Sequence, residues 1–396
     1  TVGPNWPNVD VKPPADASRE QMDQFLEEHF DGDGEPRLET AKAAWRITDG
    51  LGINTIMIQF PAPENWLTDD DENRLKPEHL DDFARYWGSL LTVLKKHGIN
   101  TPYIELSNEP EGYWNTRIYP DDYNKLAILA RKELNERGFE DVGIIGPGLA
   151  WLDYEDGGKK WIGALTQEGV DSLAGFSTHT WDDNFDKDAP VQFMATRWQD
   201  FIQAIHEKDP TGSKPIFITE FATGATTFNG VSYDGVESHG ENRASDSNPF
   251  AQRVFEQALL HINQGASVLI IWEAADKPWS HHAWGLATGP KNELRRPAYH
   301  ALKTLLPHIP ENASVIKKIW DDPQVTVAGF SSDDQLVLAL ANGTDQDLER
   351  VLQIQSQSGL RLKSATRFHD GVIKSLDLKH HHENLQLAIP EESTLV

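Results

Sequence analysis

The chain has 396 residues, a formal net charge of −26 and no cysteine. That length can bury an ample core without covalent staples, and the missing thiols exclude disulfide frameworks, thiolate metal sites and cysteine nucleophiles. The charge argues against nucleic acid or an anionic membrane as partner, since both draw affinity from clustered Lys and Arg. No apolar run reaches the ~20 residues needed to cross a bilayer. The N-terminus lacks the basic and apolar regions of a signal peptide, and a start at Thr1 rather than Met is compatible with a removed upstream segment.

Before residue 38 the one extended candidate is roughly Asn8 to Pro13. Asp31-Gly32-Asp33-Gly34-Glu35 begins like a calcium loop, but its twelfth position is Lys42, which lacks the carboxylate an EF-hand needs there. From there to about residue 305, amphipathic helical patterns alternate with short apolar runs, the signature of parallel strands joined by helices. The spacing predicts helices over Leu38 to Leu51, Pro77 to His97, Asp121 to Arg137, Lys159 to Gly169, Pro190 to Lys208 and Pro249 to Gln264. It predicts strands over Ile53 to Phe60, Tyr103 to Leu106, Val142 to Gly146, Ala174 to Thr178, Pro215 to Phe221 and Val268 to Trp272. With no Gly-rich phosphate loop after an early strand, these six units suit a (β/α)8-type TIM barrel better than an open sheet. A full barrel has eight strands, so two are expected before residue 38; with one candidate there, the barrel of residues 1–310 is either incomplete at its N-terminus or opens with atypical strands. Beyond Pro310 the pattern changes to β-type runs at Val315 to Trp320, Val325 to Phe330, Leu336 to Ala341, Val351 to Gln355, Ala365 to His369 and Leu385 to Ile389. They predict a C-terminal antiparallel β-sandwich over residues 311–396.

Barrels of this kind carry their chemistry where strands end. Two strand ends stand out: Ile104-Glu105-Leu106-Ser107-Asn108-Glu109-Pro110 and Pro215-Ile216-Phe217-Ile218-Thr219-Glu220-Phe221. A glutamate facing a pocket has its pKa raised by burial and can hold a proton for a leaving group. A second glutamate about 5–5.5 Å away can attack an anomeric carbon. Either residue alone is more often a salt-bridge partner; the pair, three strand units apart, points to catalysis. The 13 Trp of the chain offer flat apolar faces for sugar rings, with core packing the competing role.

Asn108-Glu109-Pro110 followed by Glu220 resembles the fourth- and seventh-strand glutamates of clan A retaining glycoside hydrolases. Within that clan, Phe60-Pro61-Ala62-Pro63-Glu64-Asn65-Trp66-Leu67 and the tail from Leu305 to Asn342 are similar to glycoside hydrolase family 30, with family 39 a close rival. The resemblance spans roughly residues 53 to 345. It implies Glu109 as acid/base, Glu220 as nucleophile, Asn108 on the sugar 2-hydroxyl, His179 at the sixth-strand position near the nucleophile, and Trp272 as the floor under the attacked sugar. Trp66, Trp114, Trp181 and Trp284, with Tyr113, Trp151 and Trp279, fall in loops after strands, where they could stack on successive sugars. The implied partner is an oligo- or polysaccharide with β-linkages, xylan or β-glucan before a marine galactan. No cofactor and no metal is called for, and an extracellular or periplasmic setting is expected; a carbohydrate-binding barrel without turnover is the alternative. The chain departs from the clan in having no clear second-strand Arg to keep the nucleophile ionised, Arg46 falling in a helical pattern. His380-His381-His382 and His281-His282 are read as turn residues, because adjacent histidines do not converge on one ion. Asn312-Ala313-Ser314 and Asn342-Gly343-Thr344 fit the glycan-acceptor pattern, which arises often by chance. Oligomeric state is not legible.

Overall fold

A computed structural model describes residues 16–31, 36–58, 73–150, 157–181, 190–228, 230–235, 242–276, 282–289, 294–316, 324–344, 346–353, 364–369, 372–375, 384–389 and 393–396. Two compact units emerge: Thr1–Thr180 with Arg197–Glu220, and Trp181–Thr196 with Phe221–Val396.

The first unit opens with helix α1 (Arg19–His29), where the sequence had suggested no element. Ser18 caps it reciprocally: its hydroxyl accepts from the Gln21 amide, while its own N–H donates to Gln21 Oε1 at 2.8 Å. Such a box satisfies two donors that a helix start otherwise leaves open. Met22 and Leu26, one turn apart, are buried, and Arg19 pairs with Glu133 at 2.7 Å. Helix α2 (Arg37–Gly50) follows. The described residues ahead of the first strand are thus helical rather than the two expected strands, and Asn8 to Pro13 lies outside the described residues.

Strands and helices then alternate as predicted: β1 (Ile56–Ile58), α3 (Leu80–Lys96), β2 (Tyr103–Glu105), α4 (Pro120–Glu136), β3 (Gly143–Leu149), α5 (Gly157–Ala164), α6 (Gln167–Ser172), β4 (Gly175–Trp181), α7 (Pro190–Lys208) and β5 (Ile216–Ala222). The single helix predicted over Lys159 to Gly169 is two short ones, because Thr166 caps a new start by accepting from the Gly169 amide. Helix α3 shows the usual logic: Asp81 and Asp82 in its first turn and Lys95 and Lys96 in its last complement the helix dipole, while Phe83, Trp87, Leu90, Leu91 and Leu94 are buried. The strands stand in sequence order, with Ile104 opposite Met57 on one side and Ile144 on the other. All seven residues of β3 are buried, as expected of a parallel strand covered on both faces.

The second unit holds a two-stranded hairpin, β6 (Thr227–Phe228) and β7 (Val231–Ser232), then α8 (Asn248–Asn263), β8 (Ala266–Ile271) and α9 (Pro297–Leu305). It continues with β9 (Ser314–Val315), β10 (Val325–Ser331), β11 (Leu336–Asn342), β12 (Leu348–Gln353), β13 (Thr366–His369), β14 (Val372–Ser375), β15 (Asn384–Ile389) and β16 (Ser393–Leu395). Antiparallel pairing gives one sheet in the order β14-β13-β16-β11-β10-β9 and a separate β12-β15 pair. The sequence reading missed α9, β14 and β16, each short. Asn342 is fully buried, its amide donating to Gln346 O at 2.9 Å and its Oδ1 accepting from Thr344 Oγ1 at 2.7 Å. This polar turn explains the Asn-Gly-Thr tripeptide without a glycan.

Candidate active site

β2 is short, and the chain leaves it through Leu106, Ser107 and Asn108 into a turn at Glu109-Pro110. Glu109 has φ +49°, a left-handed conformation that costs a non-glycine residue free energy and persists only where neighbours enforce it. The enforcement is visible: the Glu109 N–H donates to Gly148 O at 2.9 Å, Gly112 N–H to Glu109 O at 3.0 Å, and Ile118 N–H to Pro110 O at 2.8 Å. Asn73 Nδ2 adds a bond to Tyr113 O at 3.1 Å. Glu109 is thereby turned toward the ends of β4 and β5.

His179, near the end of β4, is wholly buried and its Nδ1 lies 2.9 Å from Glu109 Oε1. Glu220, near the end of β5, is 8% exposed. One ligand-type atom from each of Glu109, His179 and Glu220 lies within 4.8 Å of the others. The structure therefore brings together both predicted carboxylates and the predicted histidine, within a single compact unit.

The charges follow from this packing. Burial lowers the proton affinity of His179, but Glu220, the hydrogen bond to Glu109, and the charges of Glu109 and Glu105 outweigh it and lift the pKa to about 10. His179 is thus an imidazolium at neutral pH. For Glu109, burial pushes upward, yet the His179 hydrogen bond and charge and the Trp114 N–H prevail, and its pKa falls below the ordinary value. This corrects the expectation that strand-end burial alone leaves Glu109 protonated, because a neighbouring cation can exceed desolvation. Arg46 is exposed on α2; the cation beside the carboxylate pair is His179.

Asn108 is 3% exposed, and its Oδ1 is buried with no hydrogen-bond partner among the described residues. Trp114 Nε1 donates to Glu109 Oε2, joined by Asn115 Nδ2 at 3.3 Å. Its ring packs edge-on against Tyr113 with centroids 5.4 Å apart, and the two are 41% and 72% exposed, an aromatic face open to solvent beside Glu109. Gly112 makes room for that ring: a Cβ there would sit 2.3 Å from the indole.

Trp181, Trp272 and Trp284 belong to the second unit. There Trp272 N–H donates to Phe221 O at 3.0 Å, Trp181 meets Trp284 edge-on at 5.3 Å, and His282 stacks on Trp284 at 4.6 Å. Trp66, Trp151 and Trp279 lie outside the described residues, as do His281 and His380 to His382. Sequence reasoning missed Glu105, a fully buried carboxyl inside β2; the signal was an acidic residue in the middle of an apolar run. Among the described residues, Glu109, His179 and Glu220 form the group whose ligand atoms converge enough for a metal ion.

No family model matches the chain. A stretch of 93 residues is 31% identical to part of the serine protease EspP of Escherichia coli, covering 23% of this chain and only 7% of that protein. Among solved structures, the fold is similar to a glycoside hydrolase family 30 subfamily 8 xylanase from Clostridium acetobutylicum, with TM-score 0.65, 13% identity, and 96% and 92% of the two chains covered. It is similar to an endo-β1,6-glucanase at TM-score 0.61, 15% identity and coverage of 94% and 77%. A family 39 glycoside hydrolase from Bacteroides cellulosilyticus WH2 superposes at TM-score 0.58, 16% identity and coverage of 98% and 80%. The fold is a mixed α/β architecture with a parallel sheet, similar to that of these glycoside hydrolases, and family 30 structures are among its neighbours.

Proposed function

We propose that this protein is a retaining glycoside hydrolase cutting β-linked polysaccharide, with Glu220 as nucleophile and Glu109 as acid/base. The observation that carries the reading is the approach of Glu109 and Glu220 to within 4.8 Å. Retaining enzymes place their carboxyl groups about 5–5.5 Å apart, whereas inverting ones need about 6.5–9.5 Å to admit a water between them.

In the first step Glu220 attacks the anomeric carbon and the glycosidic C–O bond breaks. The departing oxygen takes a proton from Glu109. Glu109 is ionised in the free site, so sugar binding must first favour its neutral form. A ring seated against Glu109 does so by excluding water and by drawing Trp114 off Oε2, which removes a donor that holds the pKa down. In the second step Glu109 takes a proton from water, the oxygen attacks the anomeric carbon, and Glu220 leaves with its electron pair. His179 keeps Glu220 ionised between steps, the duty a second-strand Arg has in the clan. Asn108 Oδ1, buried and without a hydrogen-bond partner among the described residues, is suited to accept from the sugar 2-hydroxyl. Trp114 is suited to stack on the sugar beyond the cleaved bond, and Trp66, Trp181, Trp272 and Trp284 are proposed as further sugar contacts.

Xylan or β-glucan is the favoured substrate, on the strength of the xylanase and glucanase neighbours; a marine galactan such as agar or porphyran would suit the acidic chain. Residues 1–310 would form the catalytic barrel and 311–396 an attached β-sandwich. An extracellular or periplasmic setting would suit a polymeric substrate too large to cross a membrane. The test is release of reducing ends from a polysaccharide panel, with retention checked by NMR of the first product anomer. Activity in the wild type that disappears in Glu220→Gln supports hydrolysis. Binding without release in the wild type points to the carbohydrate-binding alternative.

A further inference from the structure

Glu105 stands four residues before Glu109, inside β2, and no part of it reaches solvent. A carboxyl there is costly unless it is bonded, and among the described residues the bonds converge on one oxygen, Oε2 having no partner. Its Oε1 accepts from Ser177 Oγ on β4 and from Thr219 Oγ1 on β5, the latter at 3.2 Å. In the sheet, β3 separates β2 from β4, and β4 separates it again from β5. One side chain therefore crosses the interior to two strands with which its own strand does not pair. Each of these strands ends in the site: β2 leads to Glu109, β4 carries His179 two residues beyond Ser177 on the same face, and β5 carries Glu220 directly after Thr219. β3 yields to let the side chain pass. Gly148 has φ +69°, and a Cβ on it would lie 2.7 Å from the Glu105 carboxyl carbon.

We infer that Glu105 is a positioning residue for the reaction proposed above, tying β2 to β4 and β5 beneath the carboxylate pair and so fixing the separation of Glu109 from Glu220. The inference rests on the hydrolase reading. Burial raises the proton affinity of Glu105, against the His179 charge and the Ser177 and Thr219 hydrogen bonds, which lower it. The role inferred for it rests on the reach of its side chain and on those two hydrogen bonds.

The experiment measures kcat, KM, pH profile and thermal melting of the full chain on whichever polysaccharide the wild type cleaves. Glu105→Gln keeps the shape and the accepting oxygen, and should leave kcat and both pH limbs within about twofold and ~0.3 pH unit of wild type. Glu105→Leu removes the tie. It should lower kcat by about 10²-fold, the cost of roughly 1 Å of misplacement, with KM nearly unchanged because no sugar contact is lost. Glu105→Leu strands two buried hydroxyls and could unfold the chain. The triple variant Glu105→Leu, Ser177→Ala, Thr219→Val removes them too; it should melt near wild type and show the same kcat loss. A folded triple variant with wild-type kcat overturns the inference, as does a Glu105→Gln enzyme that loses as much as Glu105→Leu or shifts a pH limb. A wild type that cleaves nothing on the panel defeats the hydrolase reading, and this inference with it.

Discussion

Replacing His179 by Gln removes the cation that lies against Glu109 while nearly preserving side-chain volume. In the folded protein the His179 pKa stands at about 10 against an ordinary 6.5. A group whose folded pKa is raised stabilises the protein fully below its unfolded pKa, and this contribution disappears as pH climbs through the folded value. At 1.36 kcal/mol per pH unit, the interval from 6.5 to about 10 corresponds to ~5 kcal/mol. The lowered pKa of Glu109 is the same attraction seen from its partner and is not counted again. Glu109 and Glu220, with carboxylate oxygens within 4.8 Å of each other, would repel by ~3.5 kcal/mol or more at an effective dielectric near 20, so loss of the histidine is of similar size by either route. The assay is urea unfolding of wild type and His179→Gln at half-unit steps from pH 6 to 10.5. The gap between them should be about 3–5 kcal/mol near pH 6.5 and should close steadily toward pH 10, groups remote from the site titrating alike in both proteins. A gap that stays constant across that range would refute the imidazolium assignment.

Three further outcomes follow from the geometry. Glu109→Ala should lose about 10²–10⁴-fold in kcat on natural substrate, much less on aryl glycosides whose leaving group needs no proton, and azide should restore turnover on the latter; equal losses on both substrates would speak against an acid role. Trp114→Phe keeps an aromatic face but removes the N–H on Glu109, so the Glu109 pKa rises and the alkaline limb of the kcat/KM profile moves upward; Trp114→Ala should do the same and also raise KM on long oligosaccharides by about tenfold, ~1.4 kcal/mol of lost stacking. Gly148→Ala forces a Cβ into the left-handed region against Glu105 and Ser107 O, and should cost ~1–3 kcal/mol of stability, read as a lower melting temperature; an unchanged melt would count against the close approach.

The alternation of helices and strands from α2 to β8 was legible because it depends on local periodicity. An apolar run bounded by polar turns has one economical burial, and a 3.6-residue repeat has another. The two glutamates were legible for a related reason: a carboxyl closing an apolar run is conspicuous. α1 escaped because its signal is a single capping box and two apolar residues, and α9, β14 and β16 escaped because their runs are short. What the chain alone could not reveal is who stands beside whom. His179 appeared only through its place in a resemblance, and Glu105 as one letter in a strand. Only packing β2, β4 and β5 into one sheet puts an imidazolium between two carboxylates and a third carboxyl underneath them. Protonation reverses the simplest expectation for the same reason: the burial of Glu109 is written in its strand, but the cation that overrides that burial arrives from 70 residues away. Electrostatic energy depends on distance through space, and sequence separation carries almost none of that information.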